Sequence, residues 1–323
     1  FVREKLPGRI VGVGEKVGVL SDEWAERLGL CPGIAVAPTI IDSHAGVPGS
    51  GVSTKEQVML VLGTSSVMVG LSEVPYSKEG VLGGVRDAIV PGYYALESGL
   101  ASVGDLFGWF IDNLVPGSYM SEAKGRKMNI HALLSEKASR IEPGKSGLLA
   151  LDWWNGNKTP FVDGSLKGSL IGMSLNTKPE EIYRALIEAT AYGTRRILEL
   201  YEEHGLQIQE IICSGGISLK NPLLMQIYAD VLGKRLKVAG SDQAAALGSA
   251  IYAALSSGAE AGGYDRYEEA VQKMSKVKDT VYIPDSINYA IYTKLYSVYK
   301  DYSEIMGKNR RELMKRLSEI QTE

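Results

Sequence analysis

Two apolar runs, Val58 to Leu62 and Val67 to Val69, flank Gly63-Thr64-Ser65-Ser66. Near-continuous apolar runs of this length predict strands buried on both faces. The small residues between them predict a tight turn, with Gly63 free to adopt backbone angles that other residues avoid. Such a turn lets an anion approach backbone N–H groups, and Thr64, Ser65 and Ser66 add hydroxyl donors. A hairpin with a merely polar tip is the competing reading.

The rest of the pattern places elements around this hairpin. Ser21 to Leu28 reads as a short helix capped by Ser21 and closed by Gly29. Ile34 to Ala37 reads as a strand, followed by Asp42 after the apolar pair Ile40-Ile41. Gly46 to Gly51 reads as a linker and candidate domain boundary. Val81 to Leu96 predicts short strands about a Pro91-Gly92 turn, and Glu97-Ser98-Gly99 then opens a helical stretch through Ile111. Residues 116–146 predict a helical excursion, its main helix running from Asn129 or Ile130 to Arg140. Thr177 and Glu180 have capping-box spacing and begin a long helix ending near Gly205. Glu210 to Ser214 reads as a strand entering Gly215-Gly216, with Asn221-Pro222 starting a helix that Gly233 ends. Arg235 to Val238 is strand-like, and the small residues from Ala244 to Ala250 begin a helix suited to close packing. From Asn288 onward the pattern is helical and Tyr-rich, and the basic run Lys308 to Arg311 reads as a solvated face.

Composition narrows the classes. The 323 residues are 45% hydrophobic and 23% charged, with a formal charge of −3. That is an ordinary globular balance with no footprint for nucleic acid or an anionic membrane. No apolar stretch reaches the length of a membrane span. Cys31 and Cys213 are too few and too far apart for a disulfide framework or a zinc site, so a reducing cytoplasm is the expected setting. The chain opens on Phe1, which suggests that residues precede it.

Several motifs fail on inspection. Gly144-Lys145-Ser146 resembles the end of a P-loop, but the first glycine would fall at Ser139. Gly12, Gly14 and Gly18 miss the dinucleotide fingerprint, and the three histidines are scattered. What survives is an acid after a strand (Asp42), a hydroxyl-lined hairpin (Gly63 to Ser66) and a strand–Gly-Gly–helix (Gly215-Gly216 to Asn221). Paired glycines permit close approach of a flat ligand, and a helix start offers unpaired N–H groups. Read singly, Asp42 could be a helix cap and Gly215-Gly216 a tight βα turn.

In this order and separation the features resemble the FGGY carbohydrate kinase family, within the actin-like ATPase superfamily, from about Ile34 to Leu255. The implied fold class is α/β, an actin-like ATPase (ribonuclease H-like) fold, mainly the C-terminal domain of a two-domain sugar kinase. The resemblance implies that Asp42, within Ile41 to Ala45, is the catalytic base and contacts substrate. It also implies that Gly63, Thr64, Ser65 and Ser66 form the second phosphate loop, and that Gly215, Gly216 and Asn221 bind adenosine. Gly104 aligns with a nucleotide-contacting glycine, and Gly168 to Gly172 with Glu181, Ala185 and Glu188 is similar to the C-terminal signature. Leu151-Asp152-Trp153-Trp154-Asn155 looks most like the ribulokinase branch, where Glu97 would hydrogen-bond the sugar; a helix cap is the other reading of Glu97, and core is the other reading of Trp153-Trp154. The implied reaction is ATP-dependent phosphorylation of a ketopentose, L-ribulose to L-ribulose 5-phosphate in arabinose catabolism.

The alternatives are another FGGY kinase (xylulose, glycerol), an actin-like ATPase or switch without a sugar acceptor, and a nucleotide-binding fragment. ATP and Mg²⁺ are the implied cofactors. The family's first phosphate loop, Asp-x-Gly-Thr, has no counterpart here, so the main Mg²⁺ ligand is expected on an N-terminal domain outside the chain. Residues 1–52 are read as the tail of that domain with the catalytic-base loop, 53–287 as the nucleotide-binding domain and 288–323 as C-terminal helices. The expected partners are sugar, ATP and the chain's own N-terminal domain, with no nucleic acid or membrane; a homodimer is left open.

Overall fold

The computed structural model describes residues 2–5, 8, 10–76, 80, 81 and 83–322. Phe1 and residue 82 of the Val81–Leu96 run therefore lie outside the described residues. The apolar runs form a seven-stranded mixed sheet whose chain order is β1 (Gln57–Leu62), β2 (Ser66–Ser72), β3 (Gly84–Arg86), β4 (Tyr94–Leu100), β5 (Glu210–Ser214), β6 (Arg235–Ala239) and β7 (Val277–Tyr282). Across the sheet the order is β7-β6-β5-β1-β2-β4-β3. The central pairs β1–β5 and β5–β6 are parallel, and the remaining neighbours are antiparallel. Parallel strands need both faces covered, and the buried residues duly divide into a cluster on each face.

On one face lie α1 (Asp42–Ser50), α7 (Ala244–Ser257) and α8 (Tyr267–Met274). On the other lie α2 (Gly104–Leu114), α3 (Ile130–Ala138), α4 (Pro179–Glu203), α6 (Pro222–Leu232) and α9 (Ser286–Glu304). A single turn of helix, α5 (Gly216–Lys220), joins β5 to α6. The buried pair Arg184–Glu188 (2.8 Å) ties α4 to α3 through the Ala138 carbonyl and to α9 through the Tyr292 hydroxyl. Tyr292, Tyr296 and Tyr299 pack on Tyr192, which accounts for the tyrosine repeat near the C-terminus.

Most predicted elements are present, and the departures have physical causes. Gly46 to Gly51 is not a linker. Gly46 to Ser50 belong to α1, which Gly51 caps at φ +99°, and His44 to Ser50 are buried. Its glycines serve helix packing: a Cβ at Gly49 would collide with the Ala244 carbonyl, and one at Gly248 with the Ala45 carbonyl. The boundary expected at residue 52 thus follows a helix that is itself packed on the sheet.

Glu97-Ser98-Gly99 does not open a helix either. These residues are central in β4, with Leu96 and Leu100 facing one core and Ala95 the other; the helix starts at Gly104. The long helix α4 is capped one residue later than expected. Glu181 accepts the Lys178 N–H at 2.7 Å, while Thr177 Oγ1 accepts the N–H of Ser174. Arg311 departs from the solvated-face expectation by pairing with Asp163, whereas Lys308 and Arg310 remain exposed. Trp153 is core, and Trp154 packs against Trp109.

Candidate functional site

Strands β1 and β5 are parallel neighbours, with Val61 opposite Ser214. Their carboxyl ends therefore emerge side by side, where ligands bind in α/β sheets. One leads into the tip of the β1–β2 hairpin and the other into Gly215-Gly216. Gly215 has φ +92°, and a Cβ there would strike the Leu62 carbonyl, so only glycine lets the two strand ends meet.

The tip itself is held by its own carbonyls. Val103 and Asp105 donate their N–H groups to the Thr64 carbonyl, and Gly104 donates to that of Gly63 at 3.0 Å. The start of α2 is thereby docked on the tip, and a Cβ at Gly104 would come within 2.8 Å of Gly63 O. Ser66 is buried, and its hydroxyl accepts the Leu100 N–H at 3.2 Å. Thr64 is exposed and Ser65 half-buried, and neither hydroxyl is hydrogen-bonded within the described protein. These two are the side-chain donors the tip can offer a ligand.

Gly63 and Gly216 behave differently from Gly104 and Gly215. Neither has a positive φ. A Cβ at Gly63 would meet only Ser65 O at 3.8 Å, and one at Gly216 would meet nothing within 4 Å. The expectation that Gly63 supplies unusual backbone angles is thus not met. What both glycines do is line a cavity of about 670 Å³, a volume in the range that suits a small-molecule ligand.

The cavity wall continues with Phe107, Ser135, Tyr183, His131 and Asn221. Asn221 caps α6, its Oδ1 accepting the Leu224 N–H at 3.1 Å and the Ser135 hydroxyl at 3.4 Å. Tyr183 OH lies 3.3 Å from His131 Nδ1. Burial pushes the Tyr183 phenol up to about 12 and pulls the His131 imidazole below its usual value, so both are held neutral near pH 7. Sequence reading missed His131, Ser135 and Tyr183; the one available signal was the i, i+4 spacing of His131 and Ser135 on a single helix.

Asp42 and Glu97 lie elsewhere. Neither lines the cavity; they belong to the opposite face of the sheet, where α1 packs. Asp42 is the exposed first residue of α1, its Oδ1 accepting the Ser43 N–H at 2.8 Å. Glu97, opposite Val69 in the β2–β4 ladder, accepts the Ser43 hydroxyl at 3.2 Å and lies 3.5 Å from His44 Nε2. The His44 contact, helped by Ser43, holds the Glu97 carboxyl below its ordinary value against the opposing effect of burial. Ser66 pairs with Leu100, three residues from Glu97, so the Glu97 backbone stands roughly 10 Å along the strand from the Ser66 end of the hairpin. The structure therefore sorts the predicted residues into two groups, Gly63, Gly104, Gly216 and Asn221 around the cavity and Asp42 with Glu97 on the face where α1 packs, with Thr64 and Ser65 at the hairpin tip.

Among the described residues, no three His, Cys, Asp or Glu side chains converge as a metal site. Among the described residues, no helix is long and apolar enough to cross a membrane.

Comparison with known proteins bears on the family and the fold. Residues 58–257 match the C-terminal domain of the FGGY family of carbohydrate kinases. The chain is 48% identical over 318 residues to a ribulokinase from Halalkalibacterium halodurans, covering 98% of this chain and 56% of that protein. It is also 48% identical over 320 residues to a ribulokinase from Bacillus licheniformis, covering 99% and 58%. The chain thus spans little more than half the length of these relatives. Among solved structures it superposes on a xylulose kinase from Rhodospirillum rubrum with a TM-score of 0.78 at 25% identity, covering 92% of this chain and 56% of that one. The expected α/β fold, that of the actin-like ATPases, is borne out. The chain belongs to the FGGY family of carbohydrate kinases, of which it carries the C-terminal domain.

Proposed function

We propose that this chain is the nucleotide-binding part of a ketopentose kinase that transfers the γ-phosphoryl group of ATP to L-ribulose, giving L-ribulose 5-phosphate. What supports the reading is a cavity of nucleotide size lined by Gly63 beside the hydroxyl-bearing hairpin tip, with Glu97 tied through Ser43 to the turn that begins at Asp42. The 48%-identical relatives named ribulokinase support the choice of sugar.

In this reading the nucleoside occupies the cavity against Gly216, Asn221 and Tyr183, and its phosphates run toward Thr64 and Ser65. Asp42 accepts the proton of the terminal sugar hydroxyl as that oxygen bonds to the γ-phosphorus. The bond from that phosphorus to the β,γ-bridging oxygen breaks, and ADP leaves. Phosphoryl transfer asks mainly for positioning and charge stabilisation, which the tip hydroxyls supply. Glu97, held as a carboxylate, accepts a hydrogen bond from another sugar hydroxyl. A divalent cation, expected to be Mg²⁺, neutralises triphosphate charge when bound; its main ligand is proposed on a preceding N-terminal domain. The same domain, for which residues 1–52 are the proposed tail, would supply further sugar contacts and close over the cleft to exclude water. The proposed setting is the cytoplasm.

The test is ADP release from ATP by the full-length protein over a panel of L-ribulose, D-ribulose, D-xylulose and glycerol. Release stimulated most by L-ribulose supports the reading. A constant basal rate indifferent to sugar would identify an actin-like ATPase, and preference for xylulose or glycerol another branch of the family.

A further inference from the structure

Asp42, Ser43 and His44 are consecutive, and the second and third converge on one oxygen of Glu97. Ser43 Oγ donates to Oε2 at 3.2 Å, and His44 Nε2 lies 3.5 Å from the same atom. His44 is only 6% exposed and Glu97 is half-buried, so the contact is shielded from water. No protein group bonds Glu97 Oε1 among the described residues. Asp42 stays exposed at the start of the same helical turn. One short stretch of α1 therefore presents a carboxylate outward and grips a second carboxylate inward.

The helix cannot shift easily. Gly46 packs beside the Met59 side chain, Ser275 donates to the Pro48 carbonyl at 2.6 Å, and α7 lies in backbone contact through Gly49 and Gly248. The clamp is thus built on a rigid support, as a positioning device requires.

We propose that His44, with Ser43 as second donor, is a positioning residue for the sugar. It fixes Oε2 of Glu97 so that Oε1 faces the acceptor, and it ties the sugar-holding carboxylate to the turn that carries Asp42. This rests on the reading of Glu97 as a sugar contact. Ser43 and His44 from α1 contact Glu97, while Lys158 from the 155–164 loop and, from the opposite face of the sheet, Tyr201 of α4 couple to it electrostatically. Lys158 acts only through charge, and Tyr201 spends its hydroxyl on the Met68 carbonyl. Removing His44 therefore takes away the largest influence keeping Glu97 ionised.

The experiment compares His44→Leu, His44→Gln and Ser43→Ala with wild type in the full-length protein, reading kcat and KM for L-ribulose and for ATP across pH 5–8, with thermal unfolding as the control for folding. His44→Leu is expected to raise the sugar KM on the order of tenfold, the scale of one lost charge-assisted hydrogen bond. It should also move the acid limb of kcat/KM for the sugar to higher pH and leave the ATP KM unchanged. His44→Gln keeps an N–H donor and should recover most of the loss, and Ser43→Ala should give a smaller shift in the same direction. Folded variants with an unchanged sugar KM and acid limb would overturn the proposal. Equal losses in the sugar and ATP KM would reduce His44 to general packing and overturn it too. Wild-type turnover that ignores sugar overturns instead the acceptor reading beneath it.

Discussion

Substituting Gly216 separates what the fold needs from what a ligand needs. Gly216 begins α5, has no positive φ, and leaves a Cβ with no heavy atom within 4 Å. Alanine is favoured over glycine in a helix by up to about 1 kcal/mol, so Gly216→Ala should leave the unfolding temperature unchanged or slightly raised. The same methyl sits on the cavity wall. Forcing a methyl against a well-fitted partner costs about 1–3 kcal/mol, so ATP should bind roughly 5- to 150-fold more weakly. Isothermal titration of ATP into the full-length protein, beside thermal unfolding of the same preparation, reads both effects. Gly215→Ala is the contrasting control. Its φ of +92° and the collision with the Leu62 carbonyl make it destabilising whatever the ligand. A stable Gly216→Ala variant with wild-type ATP affinity would refute the assignment of this wall to the nucleotide.

Other consequences follow from the same contacts. Gly248→Ala should destabilise the protein by several kcal/mol, because the new Cβ has only the Ala45 backbone to displace and α1 must move away; chemical denaturation measures it, and stability near wild type would contradict the close α1–α7 approach. Asp152 is buried, accepts the Tyr299 hydroxyl at 2.6 Å, and has its carboxyl pushed up to about 6 by burial. A folded value above the unfolded one means that the native state holds the extra proton between about pH 4 and 6, so stability falls as pH rises through that window. The loss is roughly 3 kcal/mol. Asp152→Asn keeps an acceptor for Tyr299 and should remove that part of the pH dependence, which denaturant melts at pH 5 and 7.5 would show; an unaltered dependence would remove Asp152 as its source.

The contrast between what could and could not be read from the residues is physical. The hairpin at 63–66 and the Asn221 cap were legible because each is decided within a few residues, by apolar runs, small residues and a cap before proline. The stretch Gly46 to Gly51 was not, because local composition favours a loop and only α7, two hundred residues later, makes small side chains an advantage in a helix. Glu97 was misplaced for a similar reason. Its strand is stabilised by β2 and β3 on either side, and its polar side chain is paired with residues of α1. The edge strand β7 has a polar centre, Lys278 to Thr280, and offers no regular apolar alternation to find. Ser135, Tyr183 and His131 carry no motif, and only folding gathers them from α3 and α4 onto one cavity.

The central claim is that Asp42 serves as the proton acceptor in phosphoryl transfer to a sugar, and steady-state turnover of Asp42→Asn in the full-length protein tests it most directly. Removing a positioned base should lower L-ribulose-dependent ADP release on the order of 10²- to 10⁴-fold, with ATP affinity unchanged because Asp42 lies outside the cavity wall. Turnover within a few-fold of wild type would contradict the account.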